Sequence, residues 1–170
     1  MKKDFFKNKS ILVTGASGSI GSEIVKKLLK TSCKVVRAMS NDENGIYILT
    51  SEINESEGMK FKNNMLKNKI RYLVGDIRDY ERNLEACDKI DIVIHAAAMK
   101  HVPICEYNPF ETNKTNLIGT KLLIKASLKK KVEHFLFIST DKAAKPTSIM
   151  GKSKLQAEKF VFKSNTKKSL

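Results

Sequence analysis

The stretch that most constrains the fold of this chain is residues 10–29, which read S-I-L-V-T-G-A-S-G-S-I-G-S-E-I-V-K-K-L-L. Its first apolar run, I-L-V, is too short for a buried helix and has the length of a buried strand. Gly15, Gly18 and Gly21 follow, and apolar residues then recur at helical spacing. This order predicts a strand–turn–helix unit at the start of the chain.

A unit of this kind directs free backbone N–H groups and the positive end of a helix dipole at one point, which suits a pyrophosphate. Gly15 would permit the tight turn, Gly18 would let phosphates approach the backbone, and Gly21 would let helix and strand pack closely. An ordinary strand–turn–helix without a ligand is the alternative. The strand before the glycines and the helix after them favour dinucleotide binding.

The rest of the chain alternates short apolar runs with segments of helical periodicity. Beyond the first strand, further strands are predicted at 34–39, 71–74, 90–95 and 134–138. Helices are predicted around 46–53, over 108–131 and from 146 onward, and the polar segment 55–69 reads as loop and helix end. The alternation predicts an α/β fold with a doubly wound parallel sheet of about five strands, Rossmann-like in design.

Polar clusters follow the predicted strands, at Ser40–Glu43, Asp76, Ala96–His101 and Ser139–Lys142. Ligands of such sheets bind outside the carboxyl ends of the strands, so all of these clusters are expected to line one binding cleft.

Local signals in the second half of the chain predict how its helices begin. Asn108 reads as an N-cap, followed by Pro109 in the first helical position and by Glu111 in the third. Gly119 is the weak point of that helix and is expected to let a strand or cofactor approach. In the last helix, Met150 and Lys154 lie one turn apart on one face.

Composition limits the class of protein. The chain has 170 residues, enough for one domain, and carries a net charge of +14, with 28 lysines but only 4 arginines. A nucleic-acid or anionic membrane surface is one interpretation of that charge. The scarcity of arginine and the lack of interleaved aromatics favour the other interpretation, an anionic cofactor and substrate. No nucleic-acid partner is therefore expected.

The chain has no apolar run of membrane-spanning length and no secretory signal, so no membrane span and a cytoplasmic location are predicted. Its three cysteines, Cys33, Cys87 and Cys105, have no metal-ligand spacing, and no metal site is predicted. His95 and His101 have no third ligand beside them and are expected to be hydrogen-bonded scaffold.

Five segments together resemble a known family. They are T-G-A-S-G-S-I-G (14–21), G-D-I-R-D (75–79), H-A-A-A-M-K-H-V-P (95–103), N-P-F-E-T-N-K-T-N-L-I-G-T (108–120) and S-T-D-K-A-A-K-P-T-S-I-M-G-K-S-K (139–154). They are similar to the extended short-chain dehydrogenases, and more narrowly to the UDP-N-acetylglucosamine 4,6-dehydratases of polysaccharide and glycan synthesis. The resemblance covers nearly the whole chain.

The resemblance implies an NAD- or NADP-dependent enzyme that acts on a UDP-N-acetylhexosamine. The residues it implies for the cofactor lie at successive strand ends and on the helices that follow them: Gly15, Ser17, Gly18, Ile20, Gly21, Ser40, Asn41, Asp42, Asp76, Ile77, Ala96, Ala97, Lys100, Thr115 and Lys154. The residues it implies around the reacting sugar follow the last strand: Thr140, Asp141, Lys142, Met150 and Lys154.

In the family reaction, a hydride leaves sugar C4, water is eliminated across C5–C6, and the hydride returns at C6. Lys142 is the candidate base for H5 and Asp141 the candidate acid for the C6 hydroxyl, each with its pKa shifted toward neutrality by a desolvated mouth. Lys154 would hold the nicotinamide ribose. Thr140 or a water would manage the O4 proton, because methionine at position 150 cannot exchange one.

This sequence departs from the family pattern in three ways. Asn41 stands where many relatives have arginine in S-R-D-E. Without that arginine a 2′-phosphate lacks a partner, so the sequence leaves open whether the cofactor is NAD or NADP. Met150 replaces the usual tyrosine, as it does in one branch of these dehydratases. Family members also continue into further strands and a substrate-binding lobe. Residues 1–170 are therefore expected to form the dinucleotide-binding domain alone, with an open sheet edge that favours homo-oligomers.

Three alternatives to a working dehydratase follow. One is a truncated, catalytically silent cofactor-binding fragment, and a poor or inactive dehydratase is the expectation for the 170-residue chain. Another is a UDP-sugar epimerase of the same superfamily. The third is a basic nucleic-acid or membrane-surface protein that uses a recycled fold.

Overall fold

A computed structural model describes residues 4–55 and 68–166, and in these ranges five parallel strands form a single sheet. The strands are β1 Ser10–Thr14, β2 Val35–Ser40, β3 Ile70–Val74, β4 Ile92–His95 and β5 His134–Phe137. Their order across the sheet is β3-β2-β1-β4-β5. The predicted doubly wound parallel sheet is confirmed. Its order reverses between β1 and β4, which is where such sheets bind ligands.

Helices connect the strands. They are α1 Ser19–Leu29, α2 Glu43–Glu55, α3 Tyr80–Ala86, α4 Val102–Tyr107, α5 Pro109–Asn113, α6 Thr120–Lys129 and α7 Ile149–Thr166. A π-helical segment, Lys114–Gly119, joins α5 to α6, and a 3₁₀ turn, Asp141–Ala143, follows β5. The prediction for 55–69 falls mostly on residues 56–67, which lie outside the described residues.

The central strand β1 is buried on both faces of the sheet. Ile11, Leu12 and Val13 are all fully buried. Ile11 and Val13 join the core cluster that contains Val25 of α1, whereas Leu12 joins the cluster that contains Leu123 of α6. Alternate residues of a strand face opposite sides, so the continuous apolar run is what a sheet covered by helices on both faces requires.

The helix predicted over 108–131 is confirmed over 109–129, where the backbone is right-handed helical at both junctions. The prediction missed that residues 114–119 within it form a π-helical segment, which ends at Gly119. Asn108 makes no side-chain cap, and its amide donates instead to the Ile104 carbonyl at 3.0 Å. A Cβ on Gly119 would lie 2.8 Å from Ile77, so the missing side chain makes room for Ile77 rather than for a strand.

Two short helices were not predicted from the sequence. The first, α3, begins at the N-cap Asp79, whose carboxylate accepts a hydrogen bond from the Arg82 N–H at 3.0 Å. The second, α4, has Pro103 in its first turn. Both signals are typical of helix starts, but each helix is too short to show a clear apolar period.

Within the described residues β5 has one strand neighbour, β4, and so forms an edge of the sheet. Leu136 on this strand is 54% exposed. The open apolar edge expected from the sequence is therefore present, and the self-association expected from it stays a prediction. None of the helices in the described ranges combines the length and the apolar character that crossing a membrane requires.

Candidate functional site

A cleft of about 430 Å³ opens at the carboxyl edge of the sheet, where β1 and β4 diverge. Every residue predicted to hold a cofactor lines this cleft, with the exception of Lys154: Gly15, Ser17, Gly18, Ile20, Gly21, Ser40, Asn41, Asp42, Asp76, Ile77, Ala96, Ala97, Lys100 and Thr115. The ends of the first four strands thus supply one concave surface. The sequence pattern predicts that Ser139–Lys142, after the fifth strand, also join them, but these residues do not line this cleft.

The three glycines of the first turn have different structural requirements. Gly15 has a φ of +67°, and a Cβ there would lie 2.6 Å from the backbone nitrogen of Ala97. A Cβ on Gly21 would collide with the Gly15 carbonyl oxygen. Gly18 has an ordinary φ of −74°, and its nearest neighbour to a Cβ would be that same oxygen at 3.4 Å. The fold therefore needs glycine at 15 and 21, whereas a side chain at position 18 would make only an ordinary contact.

The N-terminus of α1 is uncapped where it meets the cleft. Gly18 occupies the N-cap position and has no side chain to bond the first turn, which also contains no acidic residue. The first hydrogen bond within the helix runs from Ser22 N–H to the Gly18 carbonyl at 2.8 Å. The N–H groups of the first turn and the positive end of the helix dipole are thus available to an anion that enters the cleft.

The end of β2 forms one wall of the cleft. Ser40, the last strand residue, shares a hydrogen bond with Ser17 at 2.8 Å between their hydroxyl oxygens. Asp42 caps α2, because its Oδ1 accepts from the Gly45 N–H at 2.9 Å. Asn41 and Asp42 are exposed.

Arg78 closes the same end of the cleft and was not singled out from the sequence. Its guanidinium donates two hydrogen bonds to Asp76 Oδ2, from Nε at 2.9 Å and from Nη2 at 2.6 Å. A third hydrogen bond runs from Nη1 to Glu111 Oε2 at 2.7 Å. The Arg78 hydrogen bonds hold the pKa of Asp76 below its ordinary value. Glu111 also pairs with Lys114, and it lies in the first turn of α5, the position predicted from the sequence.

His95 is the centre of a buried polar frame behind the cleft. It is fully buried, with Nδ1 2.6 Å from the Thr14 hydroxyl and Nε2 2.9 Å from the Thr120 hydroxyl. Thr120 donates its own proton to the Asn116 carbonyl at 2.7 Å, so it accepts from Nε2–H, and Nδ1 accepts from Thr14. Burial, aided by the charge of Lys154, lowers the pKa of His95 to about 3. The prediction that His95 is hydrogen-bonded scaffold is confirmed.

The Asn116 side chain extends this frame to the far side of the cleft. Its Oδ1 accepts from Met99 N–H at 2.8 Å, and its Nδ2 donates to the Met99 carbonyl and to the Ser153 hydroxyl, each at 3.0 Å. Asn116 is 1% exposed and Ser153 5% exposed. This amide therefore fixes the loop after β4 and the helix α7 to the π-helical segment.

The residues expected to carry the chemistry lie at the end of β5 but do not line the described cleft. Thr140 donates to Asp141 Oδ1 at 2.9 Å, and Lys142 Nζ lies 3.5 Å from the same oxygen. The Asp141 and Lys142 side chains are 87% and 54% exposed. The Thr140 hydrogen bond and the Lys142 charge lower the pKa of Asp141. The sequence predicts that Asp141 and Lys142 are shielded from water and that the pKa of Asp141 is raised toward neutrality. Both predictions are wrong for this arrangement, because the side chains are exposed and the pKa of Asp141 is lowered.

Met150 and Lys154 are both buried on α7, at 4% and 5% exposure. Lys154 Nζ donates to the Ile138 carbonyl at 2.6 Å and lies 4.1 Å from the centre of the Phe137 ring. Burial lowers the pKa of Lys154 to about 8. The ammonium group thus stabilises the end of β5 and is not among the residues that line the cleft.

Two contacts that position α7 were missed from the sequence. Glu106 of α4 accepts a hydrogen bond from the Ile149 N–H at 2.6 Å. Gly151 packs directly on the Lys142 carbonyl, where a Cβ would collide. Both are long-range contacts that no local pattern signals.

We predict that the matched substitutions Gly15→Ser and Gly18→Ser differ in their effect on stability. Gly15→Ser forces a side chain into a left-handed conformation against Ala97 and should cost more than about 1 kcal/mol. Gly18→Ser places a favourable N-cap residue at an ordinary φ and should change stability by less than about 0.5 kcal/mol. Urea unfolding of both variants measures the difference, and equal losses would show that the turn does not need glycine at position 15.

We predict that His95 makes the fold sensitive to acid. Between the ordinary pKa of 6.5 and the native value of about 3, the unfolded chain binds more protons at this site, so unfolding free energy falls as pH falls. His95→Gln should be less stable at pH 7 but should show a flatter decline below pH 6.5. His134→Gln, which removes an exposed histidine, is the control. Identical pH slopes in denaturant titrations of His95→Gln and wild type would contradict the prediction.

Nearly the whole chain is similar to known proteins. A family model described as polysaccharide biosynthesis protein matches residues 11–170. An uncharacterized membrane protein of Methanocaldococcus jannaschii is 47% identical over 95% of this chain and 45% of that protein. A UDP-N-acetylglucosamine 4,6-dehydratase (inverting) of Campylobacter jejuni is 38% identical over 94% of this chain and 45% of that protein.

A UDP-glucose 4-epimerase of Rickettsia felis is 35% identical over 91% of this chain and 43% of that protein. Among solved structures, Pen from Bacillus thuringiensis matches with a TM-score of 0.87 and 41% identity, over 96% of this chain and 49% of that one. The chain thus spans a little under half the length of these four proteins. Since the family model covers nearly all of the sequence, the chain belongs to the polysaccharide biosynthesis protein family.

Proposed function

We propose that this chain forms the cofactor-binding part of an NAD(P)-dependent UDP-N-acetylglucosamine 4,6-dehydratase of polysaccharide or glycan synthesis. The cleft between β1 and β4 carries the proposal. Its floor is the Gly15 turn, its anion site is the uncapped start of α1, and its far wall is the Ala96–Lys100 loop. Gly15 and Gly21 let the backbone pack closely enough to form this turn, and the uncapped amides beside it fit a pyrophosphate.

The buried frame would hold the reactive end of a bound dinucleotide in register. His95 fixes the end of β4 to β1, and Asn116 fixes Met99 in the loop that follows β4. A bound nicotinamide would supply the acceptor for a hydride and its later donor. Side chains held by several buried hydrogen bonds cannot drift, which is what positioning for hydride transfer requires.

Thr140, Asp141 and Lys142 are proposed to serve the elimination of water. With Asp141 exposed and its pKa lowered, its carboxyl is ionised at neutral pH in the free chain. An acid role for Asp141 and a base role for Lys142 would therefore require the sugar to cover this turn and remove water from it. Lys154 would contribute positive charge close to the nicotinamide ribose, and Met150 an apolar wall.

A 4-epimerase is the second candidate, because relatives with that name align over nearly all of this chain at similar identity. Dehydration and epimerisation share hydride transfer from the sugar, so the cleft serves either. The basic composition supports a third class, a surface for nucleic acid, only weakly. The proposed cleft would bind an anion through backbone amides, whereas nucleic-acid surfaces depend on basic side chains.

The products distinguish these functions. The natural polypeptide that carries this sequence is incubated with UDP-N-acetylglucosamine and either NAD⁺ or NADP⁺, and the nucleotide sugars are followed by proton NMR and mass spectrometry. A 4-keto-6-deoxy sugar, lighter by one water, supports the dehydratase. A 4-epimer of unchanged mass supports the epimerase. No turnover despite cofactor binding supports the silent fragment, and salt-sensitive retention on DNA without cofactor binding supports the basic surface.

We predict that Gly18→Val weakens cofactor binding at least tenfold without unfolding the chain. A valine at this φ is not strained, and its side chain would occupy part of the cleft that Gly18 lines, where the pyrophosphate is proposed to bind. Calorimetry with NAD⁺ and NADP⁺ should show at least tenfold weaker binding than wild type, with an unchanged melting temperature. Wild-type affinity in the variant would remove the glycine turn from the binding site.

A further inference from the structure

An ion pair joins two walls of the cleft at the end that lies beside β2 and β3. Arg78 belongs to the segment between β3 and α3, Glu111 belongs to α5, and their side chains meet with an N–O distance of 2.7 Å. Both residues line the cleft. Resting on the proposed function, we propose that this pair is a clasp at the adenosine end of the cleft, and that a dinucleotide enters and leaves when the clasp opens.

The order of the strands places the clasp beside the adenosine half of a bound dinucleotide. Arg78 follows β3 and Glu111 follows β4, and these two strands are separated in the sheet by β2 and β1. The ends of β1 and β2 therefore lie between the strands whose following segments the clasp joins. In doubly wound sheets the pyrophosphate meets the turn after the first strand, and the adenosine ribose meets the end of the second.

The same two walls also meet at a buried contact that is independent of the clasp. Ile77, the neighbour of Arg78, is 4% exposed and packs on Gly119, where a Cβ would lie 2.8 Å from it. The side chains of Arg78 and Glu111 are instead 39% and 46% exposed. Exposed ion pairs are weak, because water competes for both partners. The clasp can therefore break while the buried contact keeps the walls together.

Each partner of the clasp has a second partner on its own wall. Arg78 also pairs with Asp76, with Nη2 2.6 Å from Oδ2, and Glu111 Oε1 also pairs with Lys114 at 2.9 Å. The hydrogen bond and charge of Lys114, together with the charge of Arg78, lower the pKa of Glu111, so its carboxylate is ionised at neutral pH. Opening breaks the contact across the cleft and leaves neither charge without a counter-ion. The open state is therefore accessible to the folded chain.

A clasp of this kind changes rates more than affinity. The pair is closed in the free chain, and it closes again after the dinucleotide has entered. Because the same contact is made in both end states, its removal lowers the barriers to entry and to exit together. A pair that supported only the bound state would instead change the dissociation rate alone, and with it the affinity.

Two substitutions of similar kind separate the clasp from its neighbouring ion pair. Glu111→Gln breaks the clasp and keeps the shape of the side chain. Lys114→Gln is the matched control, because it removes the other ion pair of the same carboxylate and leaves Arg78 in place. Removal of the negative charge of Glu111 by itself strengthens the attraction for an anionic dinucleotide, which would slow dissociation. Faster dissociation from Glu111→Gln therefore reports the clasp and not the change of charge.

Stopped-flow fluorescence of NADH and NADPH binding to the natural polypeptide that carries this sequence tests the proposal. For the dinucleotide that wild type binds more tightly, Glu111→Gln should raise the association and dissociation rate constants by about threefold or more, with Kd at most about twofold weaker. Lys114→Gln should change the dissociation rate by less than about twofold. Salt screens the pair, so it should accelerate dissociation from wild type more than from Glu111→Gln. Thermal melts without cofactor establish that each variant is folded.

The outcomes separate this inference from the proposed function. An unchanged dissociation rate in Glu111→Gln would overturn the clasp and leave the cofactor site in place. Faster dissociation with an unchanged association rate, or equal acceleration by Lys114→Gln, would also overturn the clasp. Failure of wild type to bind either dinucleotide would overturn the cofactor site and the inference together.

Discussion

The contact between backbone atoms at Gly15 is the constraint on which the rest of this structure depends. Gly15 leaves β1 in a left-handed conformation, passes against the backbone of Ala97 after β4, and receives Gly21 of α1 on its carbonyl. Three elements meet at one residue that has no side chain. Because β1 is the central strand, this contact sets both the angle of α1 over the sheet and the separation of the two strand ends that form the cleft.

The second constraint is the buried polar frame around His95 and Asn116. Polar groups buried in an apolar core are costly when unpaired, so each of these hydrogen bonds resists displacement of its partners. The frame requires a neutral imidazole, and burial beside Lys154 keeps it neutral by lowering the pKa of His95 to about 3. The same burial lowers the pKa of Lys154 to about 8. The side chains of His95 and Lys154 can therefore lie close together, because the imidazole of His95 is neutral.

Periodicity predicted the sheet and the glycine turn, because both depend on the local order of residues. The strands are continuous apolar runs such as Ile11–Val13, and the residues after them line the cleft as the topology requires. Prediction failed where long-range contacts decide. The π-helical segment accommodates Ile77 against Gly119, and Arg78 pairs with Asp76. The exposure of Asp141 likewise depends on what covers the turn after β5, which no local pattern encodes.

The positive charge of this chain is not concentrated in the cleft. The sequence has a net charge of +14, yet the described cleft is lined by two cations, and Arg78 is already paired with carboxylates. Several lysines instead lie on aromatic rings or carboxylates outside the cleft, as Lys125 lies over Tyr80 and Lys130 pairs with Asp88. The proposed anion site therefore consists of backbone amides at the start of α1, whose fixed geometry would recognise a pyrophosphate by shape, whereas a lysine cluster would recognise only its charge.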